Sequence, residues 1–206
     1  MRFNWFAILL VIICVVVFFI QIEDEGFTEE FLLKSSDAFS RPWILVTSMF
    51  LHGSFEHLFY NMFALALFGT ILERIIGSKK FLILYFVSGV IAGLGTIPFY
   101  EASLGASGAI MGILGTLGML RPRMTVYISY IPMPMAAAVV LWAVGDIIGF
   151  FAPSGIANAA HLFGLAVGLI IGLYLKNKYG ERVRRRRKIE NDIDEEEFEE
   201  WEDKWM

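Results

Sequence analysis

The chain has 206 residues, of which 57% are apolar, and its mean hydropathy is +0.62. This composition is too apolar for a soluble globular domain and is typical of membrane proteins. The net charge is −4, but the charges are unevenly placed, so the total indicates little about partners. Cys14 is the only cysteine, which excludes a disulfide framework and a zinc site built on cysteines.

Six apolar segments follow one another along the chain and predict an all-α membrane protein with six transmembrane helices. These segments, spans 1 to 6, cover approximately residues 4–22, 55–76, 80–99, 107–120, 133–152 and 158–175. A helix needs about 20 residues to cross the hydrocarbon core, and span 4 is too short to do so. Span 1 ends in QIEDEG without a small-residue cleavage site, so we expect a retained helix and not a removed signal peptide.

The charges between the spans predict their orientation. Basic residues follow spans 2, 4 and 6, whereas the long loop after span 1 is mainly acidic. Because cytoplasmic loops are enriched in Lys and Arg, we expect both termini in the cytoplasm and the acidic loop outside. The sequence thus predicts a multi-pass protein of the cell membrane. Residues 1–176 form its six-helix membrane domain, and residues 177–206 form a charged cytoplasmic tail.

Two local patterns refine this outline. In the acidic loop, Phe27, Phe31 and Leu32 fall at helical spacing, which suggests a short amphipathic helix at the interface. An irregular surface loop is an equally supported alternative. At the start of span 5, Pro132 and Pro134 should stop the helix from extending further back.

Polar residues of three spans converge on one predicted depth in the membrane. Ser107 lies 14 residues before the arginine that ends span 4, and His161 lies 15 residues before the first lysine after span 6. At 1.5 Å per helical residue, these separations are about 21 and 22 Å, and His57 and Asn61 of span 2 bracket the same level. With a hydrocarbon core about 30 Å thick, this level lies several ångströms below the outer surface.

Span 4 should be the central helix of the bundle. Because it is short, it begins inside the membrane at Ser107, and the non-helical chain before it needs protein or a water-filled cavity around it. Stripes of small residues let membrane helices approach each other closely. Spans 4 and 6 each carry such a stripe, with glycines at 108, 112 and 115 and at 164, 168 and 172. His161 lies on the face of the second stripe, so packing of the stripes would bring it to Ser107.

Ser107 and His161 are therefore candidate catalytic residues. A serine hydroxyl is a weak nucleophile unless an adjacent base takes its proton, and an imidazole titrates near neutral pH. His57 and Asn61, spaced i, i+4, lie on one helix face and can both donate hydrogen bonds to an oxyanion. The N–H groups at the start of span 4 can assist them. The sequence indicates no third member of a triad, and a structural hydrogen bond is the expected role of Asp146.

Other interpretations of these residues lead to different functions. GASG alone is more typical of helix packing than of catalysis. His52 and His57 are five residues apart, unlike a helical metal-binding pair, and no H-E-x-x-H motif is present. A zinc protease is therefore disfavoured, and we expect no metal and no cofactor. A non-catalytic binder of membrane proteins is the main rival to a protease, and a small transporter is a weaker one.

Three motifs resemble those of the rhomboid family of intramembrane serine proteases. They are HGSFEHLFYNMF, GASGAIMG and AHLFGLAVG, on spans 2, 4 and 6 in that order, and the resemblance covers about residues 1–176. It implies a rhomboid bundle with a Ser107–His161 dyad and no catalytic aspartate. It also implies that His57 and Asn61 help to bind the oxyanion.

The resemblance further implies how such an enzyme would act. The family cuts single-pass membrane proteins near the outer end of their transmembrane helix, at a site that opens to the outside, with span 5 as a gate. The expected partners are thus single-pass transmembrane substrates and membrane lipid, and not nucleic acid. Met111 occupies the position at which many members carry a tyrosine stacked on the histidine, which implies softer packing here.

Overall fold

The structure is a computed structural model that describes residues 4–128, 130–152 and 155–178. Its helices are α1 (Phe6–Glu23), α2 (Glu25–Phe31), α3 (Ile44–Thr47), α4 (Phe55–Ile76), α5 (Ser78–Thr96), α6 (Ser107–Leu120), α7 (Met135–Phe150) and α8 (Asn158–Lys178). Two short antiparallel pairs join β1 (Leu33–Lys34) to β2 (Ala102–Ser103) and β3 (Thr125–Ile128) to β4 (Ile131–Pro134). The predicted cytoplasmic tail lies outside the described residues apart from positions 177 and 178.

The described part of the chain confirms the predicted helical membrane protein. Four of its helices, α1, α4, α5 and α8, are long and apolar enough to cross a membrane, and α6 and α7 are shorter apolar helices. Helix α6 has the predicted bounds. Helix α7 is shorter than the predicted span 5 because Ile131–Pro134 forms strand β4, paired with β3. It begins directly after Pro134, in agreement with the helix-stopping role of the prolines.

The acidic loop contains the helix that the spacing of its aromatic residues suggests. Helix α2 is capped by Asp24, whose side chain accepts a hydrogen bond from the N–H of Gly26. The rings of Phe27 and Phe31 lie on one face with their centroids 4.7 Å apart. The helical alternative for this segment is therefore confirmed.

Helix α1 is held against the bundle by a buried carboxylate of α4. Glu73 is fully buried and accepts hydrogen bonds from the backbone N–H groups of Phe6 and Ala7, at 3.1 and 3.0 Å, and from the hydroxyl of Ser78. The first N–H groups of a helix have no partners within it. Glu73 supplies those partners and so fixes the start of α1.

Helix α6 occupies the centre, as its shortness predicts, and 11 of its 14 residues are buried. It packs against α5 and α8 through glycines, at points where the helices are too close together for larger side chains. A Cβ atom at Gly112 would lie 2.2 Å from Ser88 Oγ of α5. A Cβ atom at Gly164 of α8 would lie 2.0 Å from the carbonyl oxygen of Gly108. The predicted packing of the two glycine stripes is therefore confirmed.

Candidate active site

Ser107 is the first residue of α6 and follows a sharply turned segment of chain. The pairing of β2 with β1 holds Ser103 opposite Leu33, and the N–H of Gly105 donates to the carbonyl of Ser48 at 2.9 Å. Gly105 has a φ of +119°, which residues with a Cβ atom rarely adopt. Because a helix start leaves its first N–H groups without helical partners, α6 presents these donors next to Ser107.

His57 of α4 lies against the same glycine as Ser107. A Cβ atom at Gly105 would lie 2.9 Å from His57 Nε2 and 3.8 Å from Ser107 Oγ. His57 Nδ1 accepts a long hydrogen bond, 3.5 Å, from the N–H of Gly53. This bond favours the tautomer with its proton on Nε2, so the ring can donate toward the space beside Ser107.

Asn61 lies one turn further along α4 and is buried. Its Nδ2 donates to the backbone carbonyl of His57 at 2.8 Å, which holds the amide on the helix face that carries the imidazole. An amide group has two N–H donors, so one donor of Asn61 remains for a ligand. The predicted pairing of these two residues on one face is confirmed.

His161 lies in the first turn of α8, and its side chain contacts a carboxylate of α7. Its Nδ1 lies 2.8 Å from Oδ1 of Asp146, and the two side chains are only 19% and 11% exposed. His161 is therefore the partner of Asp146, which the sequence did not indicate. The depth count could have found it: Asp146 lies 12 residues after Pro134, or about 18 Å from the start of α7, near the predicted level of His161.

The backbones of α6 and α8 meet beside Ser107 and His161. A Cβ atom at Gly108 would lie 3.4 Å from the carbonyl oxygen of Ala160, so the residue after Ser107 meets the residue before His161. Within the described residues, Ser107 Oγ forms no hydrogen bond with His161 or with another group. Catalytic hydrogen bonds are often long without substrate and tighten when it binds.

A small cavity adjoins the serine. Its volume is about 30 Å³, and its lining includes Ser48, Gly105, Ser107 and Ala160. This volume corresponds to about one water molecule. The cavity is therefore too small for a peptide backbone.

A second histidine, His52, packs behind His57 and does not face the cavity. It is only 2% exposed, its ring centroid lies 5.1 Å from that of His57, and neither ring nitrogen has a hydrogen-bond partner among the described residues. Burial, with a smaller contribution from His57, lowers the pKa of His52 to about 4, so it is neutral at pH 7. Across the described ranges, no group of three His, Cys, Asp or Glu residues could hold a metal ion.

Comparison with known proteins identifies the family. The sequence pattern of the Rhomboid domain matches residues 40–178. YdcA of Bacillus subtilis strain 168, which is assigned to the rhomboid proteases, is 34% identical over 143 residues, or 68% of this chain and 70% of that protein. The mitochondrial rhomboid protein 1 of Saccharomyces cerevisiae is 33% identical over 176 residues, or 78% of this chain and 49% of that protein.

A third relative is the rhomboid protease GlpG of Yersinia pseudotuberculosis, which is 31% identical over 144 residues, or 68% of this chain and 50% of that protein. The chain thus spans about half the length of these last two relatives. Its fold and its clustered polar residues are those of a multi-pass helical membrane protein with an intramembrane site. The chain belongs to the rhomboid family, and this membership makes it an intramembrane endopeptidase of the serine type.

Proposed function

We propose that Ser107 and His161 form the catalytic dyad of this peptidase and that His57 and Asn61 help to bind the oxyanion. The observation that carries this proposal is the meeting of three helices at one point: Gly105 separates Ser107 Oγ from His57 Nε2, and Gly108 contacts the residue before His161. The proposed nucleophile, base and hydrogen-bond donor therefore lie on three helices that meet around Gly105 and Gly108.

The proposed reaction is an acyl transfer in two steps. Ser107 Oγ attacks the scissile carbonyl carbon while Nε2 of His161 takes the hydroxyl proton. The first N–H groups of α6, His57 Nε2 and Asn61 Nδ2 are the donors for the oxyanion that forms. His161 then gives its proton to the leaving amine. A water molecule, deprotonated by His161, attacks the ester on Ser107, and His161 returns this proton to Ser107 Oγ as the acyl group leaves.

The proposed orientation places the site near the outer face of the cell membrane and both termini in the cytoplasm. Its support is the distribution of charge, because the basic loops all follow even-numbered spans. The proposed substrates are single-pass membrane proteins cut near the outer end of their transmembrane segment.

Removal of either member of the dyad tests this proposal directly. Ser107→Ala and His161→Ala should leave the fold intact and abolish cleavage of a single-span reporter in proteoliposomes. His161→Ala should also stop covalent labelling of Ser107 by a fluorophosphonate, because the serine then has no base. Asn61→Ala should be milder, since it removes one oxyanion donor among several.

The control for the serine is Ser36→Ala, which changes an exposed hydroxyl of the outer loop and should keep both activity and labelling. Substantial cleavage by the purified Ser107→Ala protein would contradict the dyad. Binding of the reporter with neither cleavage nor labelling in the wild type would favour the non-catalytic binder.

The helicity of the substrate should also control the rate. A stable helix shields its scissile carbonyl, and lipid favours that state because it leaves no backbone group unpaired. Glycine and proline weaken a helix by about 1 and 3 kcal/mol relative to alanine. Replacement of such residues by leucine in the outer part of a reporter segment should therefore slow its cleavage. Equal rates for leucine-rich segments cut at the same bond would contradict the need for unwinding, but not the dyad.

A further inference from the structure

The hydrogen bond between Asp146 and His161 links the proposed base to the neighbouring helix α7. The 2.8 Å bond involves Nδ1 of the imidazole, so Nε2 is the ring nitrogen that remains for Ser107. A neutral imidazole carries one proton. The hydrogen-bond partners of its two ring nitrogens determine which nitrogen holds that proton. A carboxylate only accepts hydrogen bonds, so it requires the proton to be on Nδ1.

The surroundings of Asp146 argue against a purely structural role. The buried carboxylates among the described residues are Glu73 and Asp146. Glu73 accepts hydrogen bonds from several groups that fix the start of α1. Asp146, by contrast, is hydrogen-bonded in the described structure to His161. A carboxylate on a membrane helix is costly, and a single histidine partner compensates for it poorly, so such residues are usually retained for function.

We propose that Asp146 is a positioning residue for His161, which holds the imidazole in the tautomer with the proton on Nδ1 and presents an unprotonated Nε2 to Ser107. This inference rests on the proposed dyad and adds a third residue to it. When Nε2 takes the serine proton, both ring nitrogens carry protons and the carboxylate stabilises the resulting positive charge. The new proton leaves from Nε2 to the departing amine, and Asp146 stays ionised throughout.

The first test is kinetic and uses the full-length protein in proteoliposomes with the single-span reporter. Asp146→Ala should lower kcat by about 10- to 100-fold, a part of the 10²–10⁴ that a general base contributes, with little change in KM. It should slow fluorophosphonate labelling of Ser107 by a similar factor. Asp146→Glu, which keeps the carboxylate, should recover part of the rate.

A matched control lies one residue earlier on the same helix. A Cβ atom at Gly145 would have no neighbour within 4 Å, so Gly145→Ala alters α7 without touching the site and should keep wild-type kinetics. A structural role for Asp146 would predict lower thermal stability without selective loss of kcat. Unchanged kcat and labelling in Asp146→Ala would overturn the proposal.

The second test measures the tautomer in the wild-type protein and does not depend on how a variant folds. The chain has three histidines, so the nitrogen-15 NMR signals of His161 can be assigned by their loss in His161→Ala. We expect a protonated Nδ1 in the wild type and a larger Nε2-protonated population in Asp146→Ala. A wild-type proton on Nε2 would overturn the inference. Activity in Ser107→Ala would instead overturn the dyad, so the two failures are distinct.

Discussion

The α6–α8 contact, which carries the proposed catalytic residues, and the adjacent helix α7 differ greatly in how much of each is buried. In α6, 11 of 14 residues are buried, and its glycines meet the backbone of α8. In α7, four of 16 residues are buried, and its outward face is apolar and exposed. The exposed residues of that face are Val140, Leu141, Val144, Ile147 and Ile148.

This difference separates the helices that carry the proposed dyad from a helix with few buried residues. Ser107 and His161 sit on helices in backbone contact, where packed atoms leave little freedom to move. Helix α7 is held by fewer contacts, and the cavity beside Ser107 is too small for a peptide. We propose that α7 is the element that moves to admit a substrate, and that Asp146 rejoins His161 when α7 returns.

The largest expected effect comes from breaking the rigid contact. A Cβ atom at Gly168 would lie 2.1 Å from the carbonyl oxygen of Gly112, so the two helix backbones would have to separate. Gly168→Ala should lower the free energy of unfolding by about 3 kcal/mol, as overpacking of a core does, and should reduce cleavage as well. Thermal unfolding in detergent micelles measures the change.

A glycine-to-alanine substitution on α7 serves as the comparison. Gly145→Ala of α7 has open space around the new methyl group, and alanine favours a helix more than glycine does, so its melting temperature should not fall below that of the wild type. If both alanine variants melted at the wild-type temperature, the α6–α8 contact would not be the rigid part of the molecule.

An intermediate effect is expected from loosening α7. The ring of Trp142 on α7 packs edge-on against Phe68 of α4, with centroids 6.2 Å apart. Such an aromatic pair contributes about 1 kcal/mol beyond its buried area. If it stabilises the closed position of α7, Trp142→Ala should raise kcat/KM of the reporter by up to about fivefold, since 1.4 kcal/mol corresponds to a tenfold shift.

Two quantities are measured for this variant and for the wild type: the rate of reporter cleavage and the melting temperature. Faster cleavage with a slightly lower melting temperature supports a mobile α7. Slower cleavage in a stably folded Trp142→Ala protein would show that the aromatic pair supports the active geometry instead of restraining access.

The same contrast explains which features the sequence could predict. Helical rise is constant, so counting residues from the charged ends predicts one depth for Ser107, His161, His57 and Asn61. The structure brings the helices that carry them together around Gly105 and Gly108. Glycine stripes likewise predicted the α6–α8 contact, because only glycine permits backbones to approach so closely. These features depend on local geometry and on residue size.

Features that depend on contacts between distant segments were missed. Residues 125–134 lie within and beside an apolar run, and hydropathy does not distinguish the β3–β4 hairpin from a helical turn. The partner of Asp146 depends on the rotation of α7 about its own axis. Counting residues gives the depth of Asp146 but not that rotation.

The smallest effect is expected from a second substitution in the α6–α8 contact. Thr116 of α6 is fully buried, and its hydroxyl lies 2.9 Å from the carbonyl oxygens of Gly112 and Gly168, so its single O–H is shared between its own helix and α8. Thr116→Val keeps the shape of the side chain and removes only these bonds. Interhelical hydrogen bonds in membranes average about 0.6 kcal/mol. We expect a loss of about that size in the free energy of unfolding, with unchanged cleavage well below the melting temperature. A loss as large as that of Gly168→Ala would mean that hydrogen bonding, and not the close approach of the glycines, holds α6 to α8.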